Sequence, residues 1–137
     1  MITISAEAFF DSAHFLSGYP GKCANLHGHR WKVVAEVSAP DVGETGMVMD
    51  FKDLKGALRA MADDMDHSLI MEEGSLRPAT LQALREENFR IVMVPFRPTA
   101  ENLARYFFEK LAPEIPGLIR VSVYETPENR ATYVVTA

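Results

Sequence analysis

The sequence predicts an α+β fold, a mainly antiparallel sheet covered by helices. Three observations predict it. Two long N-terminal segments, Ile2 to His14 and His27 to Ala39, alternate with a period of two. Two later segments, beginning at Phe51 and after Thr99, carry apolar residues at helical spacing. Short apolar, β-branched segments close the chain.

In the first segment the even positions Ile2, Ile4, Ala6, Ala8, Phe10 and Ser12 are apolar or small, and His14 continues their parity. This is the pattern of a half-buried strand. A loop from Phe15 to Leu26 follows, with the turn signal Gly18-Tyr19-Pro20-Gly21. In the second segment Trp31, Val33, Ala35 and Val37 alternate with mostly polar residues, so the two segments form an antiparallel pair. Their connection is longer than most hairpin loops, and such loops are often functional. Asp50 caps a helix with Phe51, Leu54, Leu58, Met61 and Met65 on one face. Between Ser68 and Asn88 the pattern is weak, with a short helix over Ala79 to Glu87; Phe89 to Phe96 reads as a short buried strand. Thr99 caps a second helix bearing Leu103, Phe107 and Leu111, which Pro113 and Pro116 end. Leu118 to Glu125 is a strand with Ile119, Val121 and Val123 on one face, and Tyr133 to Val135 is a last strand.

The chain has 137 residues, 47% hydrophobic and 24% charged, which suits one globular domain over residues 1–137 and excludes a disordered chain. No run is apolar and long enough for a membrane span, and no secretory signal pattern opens the chain. The expectation is no membrane partner. One cysteine fits a reducing, cytoplasmic setting. A net charge of −5 argues against broad nucleic-acid binding, but a locally basic pocket can still take a small anion.

Three of the four histidines are His14, His27 and His29. On an extended strand His27 and His29 point to one face, the face of Trp31 and Val33. His14 shares the core parity of its own strand. Pairing of the strands brings three imidazoles together, the ligand set of a catalytic zinc site with an open position. Iron and nickel also accept imidazole. A cupin-like iron site wants a nearby glutamate, and Glu36 comes too late with the wrong parity. Gly28 would let the backbone approach closely. Cys23 lies in the loop, next to Lys22 and near the proposed cation, where a thiolate is favoured as base or nucleophile. Asp66 precedes His67 after the first helix, and a carboxylate beside an imidazole can fix its tautomer. Glu125 ends an apolar strand face with no evident cationic partner on it. A ligand with two adjacent N–H donors, such as the guanidine edge of a guanine or pterin ring, would satisfy both carboxylate oxygens.

Taken together, these residues resemble the 6-pyruvoyltetrahydropterin synthase / 6-carboxytetrahydropterin synthase family. The resemblance rests on Cys23-Ala24-Asn25-Leu26-His27-Gly28-His29, with His14 upstream in Phe10-Asp11-Ser12-Ala13-His14. Met49-Asp50-Phe51, Asp66-His67, Pro98-Thr99-Ala100-Glu101-Asn102 and Glu125-Thr126 follow in the family's order. It implies a tunnelling (T-fold) architecture: an antiparallel four-stranded sheet with helices on one face, joining other copies into a barrel. It implies a homohexamer, a dimer of trimers, with sites at subunit interfaces. It also implies Zn2+ on His14, His27 and His29, a catalytic Cys23, a relay pair Asp66 and His67, and a pterin anchor at Glu125. Thr99 falls in the segment supplying further pterin contacts.

The implied substrate is 7,8-dihydroneopterin triphosphate. Zinc would polarise the developing side-chain carbonyl, Cys23 would take a proton from the side chain, and His67 would move protons later. The three-residue gap between Cys23 and His27 resembles the bacterial carboxy enzymes of 7-deazaguanine (queuosine) synthesis. Those release acetaldehyde and triphosphate and leave 6-carboxy-5,6,7,8-tetrahydropterin. The alternatives are the pyruvoyl enzyme, which keeps all three side-chain carbons, and a divergent paralogue acting on another pterin. A non-catalytic zinc module and a zinc hydrolase using bound water are the readings from other classes. The stretch from Met71 to Pro95 is longer than the compact carboxy enzymes usually need. It reads as a subunit contact, a lid over the triphosphate or a solvated helix of mixed charge.

Overall fold

The computed structural model describes residues 1–135. The domain expected over residues 1–137 is described up to Val135, and Thr136 and Ala137 lie outside the described residues. The elements in chain order are β1 (Ile2–His14), β2 (His27–Ala39), α1 (Phe51–Met65), β3 (Ser68–Glu72) and α2 (Pro78–Glu86). They continue with β4 (Ile91–Val94), α3 (Ala100–Leu111), β5 (Leu118–Thr126) and β6 (Asn129–Val134).

The sheet has six strands in the order β4-β3-β1-β2-β5-β6. Strands β1, β2, β5 and β6 pair antiparallel, as the T-fold resemblance implies. The four-stranded, wholly antiparallel expectation is corrected by β3 and β4, which extend the sheet in parallel with β1. These strands have only five and four residues, too short for a clear period. A parallel pair needs a crossover, and α2 supplies it between β3 and β4. The stretch from Met71 to Pro95 thus holds the end of β3, all of α2 and β4; α2 itself buries no residue. The strand expected from Phe89 begins at Ile91, leaving Phe89 exposed.

The core lies between one face of this sheet and helices α1 and α3. Phe10 and Trp31 sit opposite each other in the β1–β2 register and stack at 5.9 Å, with Phe107 of α3 edge-on to Phe10. Leu54, Leu58, Met61 and Met65 of α1 and Leu103, Phe107 and Leu111 of α3 are buried. Each such side chain is worth roughly 1.5–3 kcal/mol of transfer free energy. Phe51 departs from the expected stripe and is exposed. Helical side chains lean toward the N-terminus, so a first-turn residue reaches past the end of its own helix. Both predicted caps form: Asp50 accepts from the Lys52 N–H at 2.8 Å and Thr99 from the Asn102 N–H at 3.2 Å. No helix among the described residues is long and apolar enough to cross a membrane.

Candidate functional site

The β1–β2 register sets Ser12 opposite His29 and His14 opposite His27. The predicted convergence of the three histidines is therefore built by strand pairing alone. Trp31 forms the floor, edge-on to His14 at 4.9 Å and to His29 at 5.3 Å. Its indole N–H donates to the Ser12 carbonyl, which holds the ring in place. Gly28 is not a close-approach site, since an added Cβ would meet the Ser12 carbonyl at 3.6 Å, an ordinary contact.

The imidazole tautomers follow from the backbone. His14 Nδ1–H donates to the Pro98 carbonyl at 2.7 Å, and His27 Nδ1–H donates to the Asn25 carbonyl at 2.6 Å. A carbonyl can only accept, so both hydrogens are committed. The two Nε2 atoms then face each other at 3.1 Å with lone pairs and no hydrogen between neutral rings. Glu125 joins them: its Oε1 is 3.4 Å from His14 Nε2 and 2.8 Å from His29 Nε2. His29 Nε2 is buried and lies outside hydrogen-bonding geometry with that oxygen. Burial lowers the pKa of His14, with the Pro98 carbonyl opposing, so its doubly protonated form is disfavoured. Burial also lowers His29, with Glu125 opposing. Converging lone pairs, three imidazoles and a carboxylate fit a divalent cation such as zinc.

The sequence places Glu125 on the right face but leaves it without a partner. Its partners are His29 on β2, the strand that β5 pairs with, and His14 on β1, one strand further across the sheet. Glu125 also stands between two clefts. One, of about 360 Å³, is lined by Phe9, Arg30, Lys32 and Tyr124 among others. Lys32 Nζ sits 4.1 Å from the centre of the Tyr124 ring and pairs with Glu7, and Arg30 stacks on Phe9 and pairs with Asp11. The other, of about 390 Å³, lies toward Ala100, Glu101 and Arg130.

Asp66 and His67 form a separate group with Asp11. Asp11 has the parity opposite to His14, so this group belongs to the other face of β1. Asp66 Oδ2 meets His67 Nδ1 at 3.0 Å, and Asp66 Oδ1 accepts from the Asp11 N–H at 2.8 Å. The Asp11 contact chiefly, and His67 next, holds the Asp66 carboxyl below its ordinary range. His67 has a φ of 54°, and its N–H donates to the Asp11 carbonyl at 2.7 Å. That left-handed backbone costs roughly 1–2 kcal/mol in a non-glycine residue. No pattern along the chain singles out Asp11 as a partner, since only the fold brings it to the pair.

Cys23 belongs to neither group. It is half-buried in a single 3₁₀ turn, Lys22–Ala24, and its carbonyl accepts from the Leu16 N–H at 2.8 Å. Arg97 donates to the Ser17 carbonyl and so ties this loop to the segment that holds His14 and Thr99. Thr99 spends its hydroxyl oxygen as the α3 cap.

Residues 3–135 match a family model described as 6-pyruvoyl tetrahydropterin synthase. A protein of Haemophilus influenzae named 6-carboxy-5,6,7,8-tetrahydropterin synthase is 39% identical over 140 residues, covering 97% of this chain and 99% of that protein. Among solved structures, an uncharacterized protein of Wolinella succinogenes superposes with a TM-score of 0.86 at 23% identity, covering 97% of both chains. The 6-pyruvoyl tetrahydropterin synthase of Caenorhabditis elegans superposes with a TM-score of 0.74 at 26% identity, covering 98% of this chain and 96% of that one.

Proposed function

The chain belongs to the 6-pyruvoyl tetrahydropterin synthase family, and we propose that it converts 7,8-dihydroneopterin triphosphate to 6-carboxy-5,6,7,8-tetrahydropterin. The reaction takes up water and releases acetaldehyde and triphosphate. The carboxy product is favoured by the Haemophilus relative's name, and the gap between Cys23 and His27 agrees with it. The observation that carries the enzymatic reading is the facing Nε2 pair of His14 and His27 beside Glu125 and His29.

In this reading His14, His27 and His29 hold Zn2+, which when bound supplies a Lewis acid for the substrate's side chain. Glu125 accepts from the pterin's adjacent N–H donors and fixes the ring. Thr99 sits in the segment beside the same ring. Cys23 takes a side-chain proton as its thiolate, which a reducing cytoplasm keeps available. His67, oriented by Asp66, moves protons in the later steps. Asp66 and His67 stand on the face of β1 opposite to His14, so they serve a site completed by a second copy of the chain. A homohexamer, two trimers stacked on their joined sheets, provides such interfaces.

The test is a product analysis. The zinc-loaded protein is incubated with 7,8-dihydroneopterin triphosphate, with and without chelator, and the pterins are read by mass spectrometry. Chelator-sensitive 6-carboxy-5,6,7,8-tetrahydropterin is the expected product. A pyruvoyl product moves the chain to the other activity of its family, and no conversion sinks the substrate assignment.

A further inference from the structure

The strand–helix–strand unit from Ser68 to Val94 contributes the Arg90 side chain to the Asp66–His67 turn. Arg90 Nη1 donates to the Asp66 carbonyl at 2.9 Å, and Nη2 donates to the Asp64 carbonyl at 2.8 Å. Its own carbonyl accepts from the Leu69 N–H at 2.9 Å, so the residue is anchored to β3 two positions beyond His67. We propose that Arg90 is a positioning residue for the Asp66–His67 pair. This rests on the reading of that pair as the proton relay.

Three observations carry the inference. First, the end of α1 lacks a cation of its own. Its last turn has no basic residue and holds Asp63 and Asp64, with Asp66 as cap. Carboxylates oppose the negative end of a helix dipole, and a guanidinium on the terminal carbonyls suits it. Arg90 is that guanidinium. Second, His67 occupies a left-handed backbone conformation, which persists only where its surroundings over-determine it. The His67 N–H and the Asp66 carboxylate are gripped from β1 by Asp11. The serine hydroxyls of Ser12 and Ser68 hold the Met65 carbonyl from within the core. Arg90 closes the remaining side, where the Asp64 and Asp66 carbonyls would otherwise be held by solvent alone. Third, a planar fork can serve both carbonyls in one geometry, which an ammonium cannot.

Arg90→Ala, Arg90→Lys and His67→Ala are compared in the zinc-loaded full chain. Arg90→Ala is expected to lower kcat about tenfold, with KM within about twofold and zinc content unchanged, because loss of orientation acts on the reacting step. Arg90→Lys is expected to recover part of the loss. The histidine side-chain 15N spectrum supplies a readout that simple destabilisation does not move. The wild-type protein should show His67 protonated at Nδ1, toward Asp66, and Arg90→Ala a mixture of tautomers. Unchanged kcat in Arg90→Ala beside a dead His67→Ala would overturn the proposal, as would an unaltered His67 spectrum. Full activity in His67→Ala would instead remove the relay reading, and the spectrum would still decide whether Arg90 orients the pair.

Discussion

His14 Nε2 and His27 Nε2 face each other across 3.1 Å, and each ring has its Nδ1 hydrogen committed to a backbone carbonyl. Two lone pairs at that distance repel unless a positive charge lies between them. The strand register imposes the approach, and the carbonyls of Pro98 and Asn25 impose the tautomers. The protein chain thus arranges a donor set that fits a cation.

Removing His27 should therefore remove the metal without unfolding the sheet. His27→Ala is expected to weaken zinc binding more than about a hundredfold, since changes one shell further out already cost roughly 10–100-fold. Competition with a chromogenic chelator measures it. Wild-type zinc affinity in this variant would mean that the facing imidazoles hold no metal.

Glu125 touches both the histidines and two clefts, so its substitution separates two roles. Glu125→Gln keeps the shape and removes the charge. As a pterin anchor, Glu125 predicts a KM raised by about tenfold or more, the worth of a charged hydrogen bond, with zinc retained. Kinetics and metal analysis on one sample decide it. Loss of zinc in parallel with activity would make Oε1 a metal ligand instead.

Cys23→Ala should lower kcat by about 10²–10⁴-fold, the usual contribution of a positioned base, with zinc still bound. A mixed assembly of Cys23→Ala and His67→Ala chains should regain activity that neither variant shows alone. Failure of the mixture, with each variant still oligomeric, would place all of the groups needed within one chain.

Asp66 gives the protein an acid-dependent component of stability. Its carboxyl is held below the ordinary value of 3.8, first by the Asp11 N–H and then by His67. A carboxyl depressed in the folded state stabilises fully above its unfolded value, and the contribution is lost as pH falls through the folded value. Asp66→Asn can still accept from Asp11 but does not titrate. Wild-type protein should exceed this variant in urea stability by a constant margin above about pH 5, and the margin should vanish below the lowered folded value. The carboxyl is partly exposed, so added salt should shrink the margin. A margin independent of pH would refute this assignment.

Much of the site was legible in the chain because it is written in parity. His14 shares the even face of β1 with Phe10, and His27 and His29 share the odd face of β2 with Trp31. A period of two places a side chain on a face without reference to anything distant. The caps Asp50 and Thr99 were legible for the same reason, since a cap bonds within three residues of itself. Phe51 misled because periodicity does not mark where a helix leaves the core.

The strand faces, the helix starts, the convergence of three histidines and the family likeness carried by Cys23, Asp66-His67 and Glu125 can all be read along the chain. Folding was needed to bring Glu125 to His14 and His29, to set Asp66 and His67 with Asp11 on the other face of β1, and to close Arg90 on their turn. Folding likewise joined β3 and β4 to the sheet in parallel. The difference is one of range. Parity and capping depend on neighbours along the chain, whereas parallel pairing, a bond between residues 24 apart and the choice of face for a turn depend on which segments pack together in space.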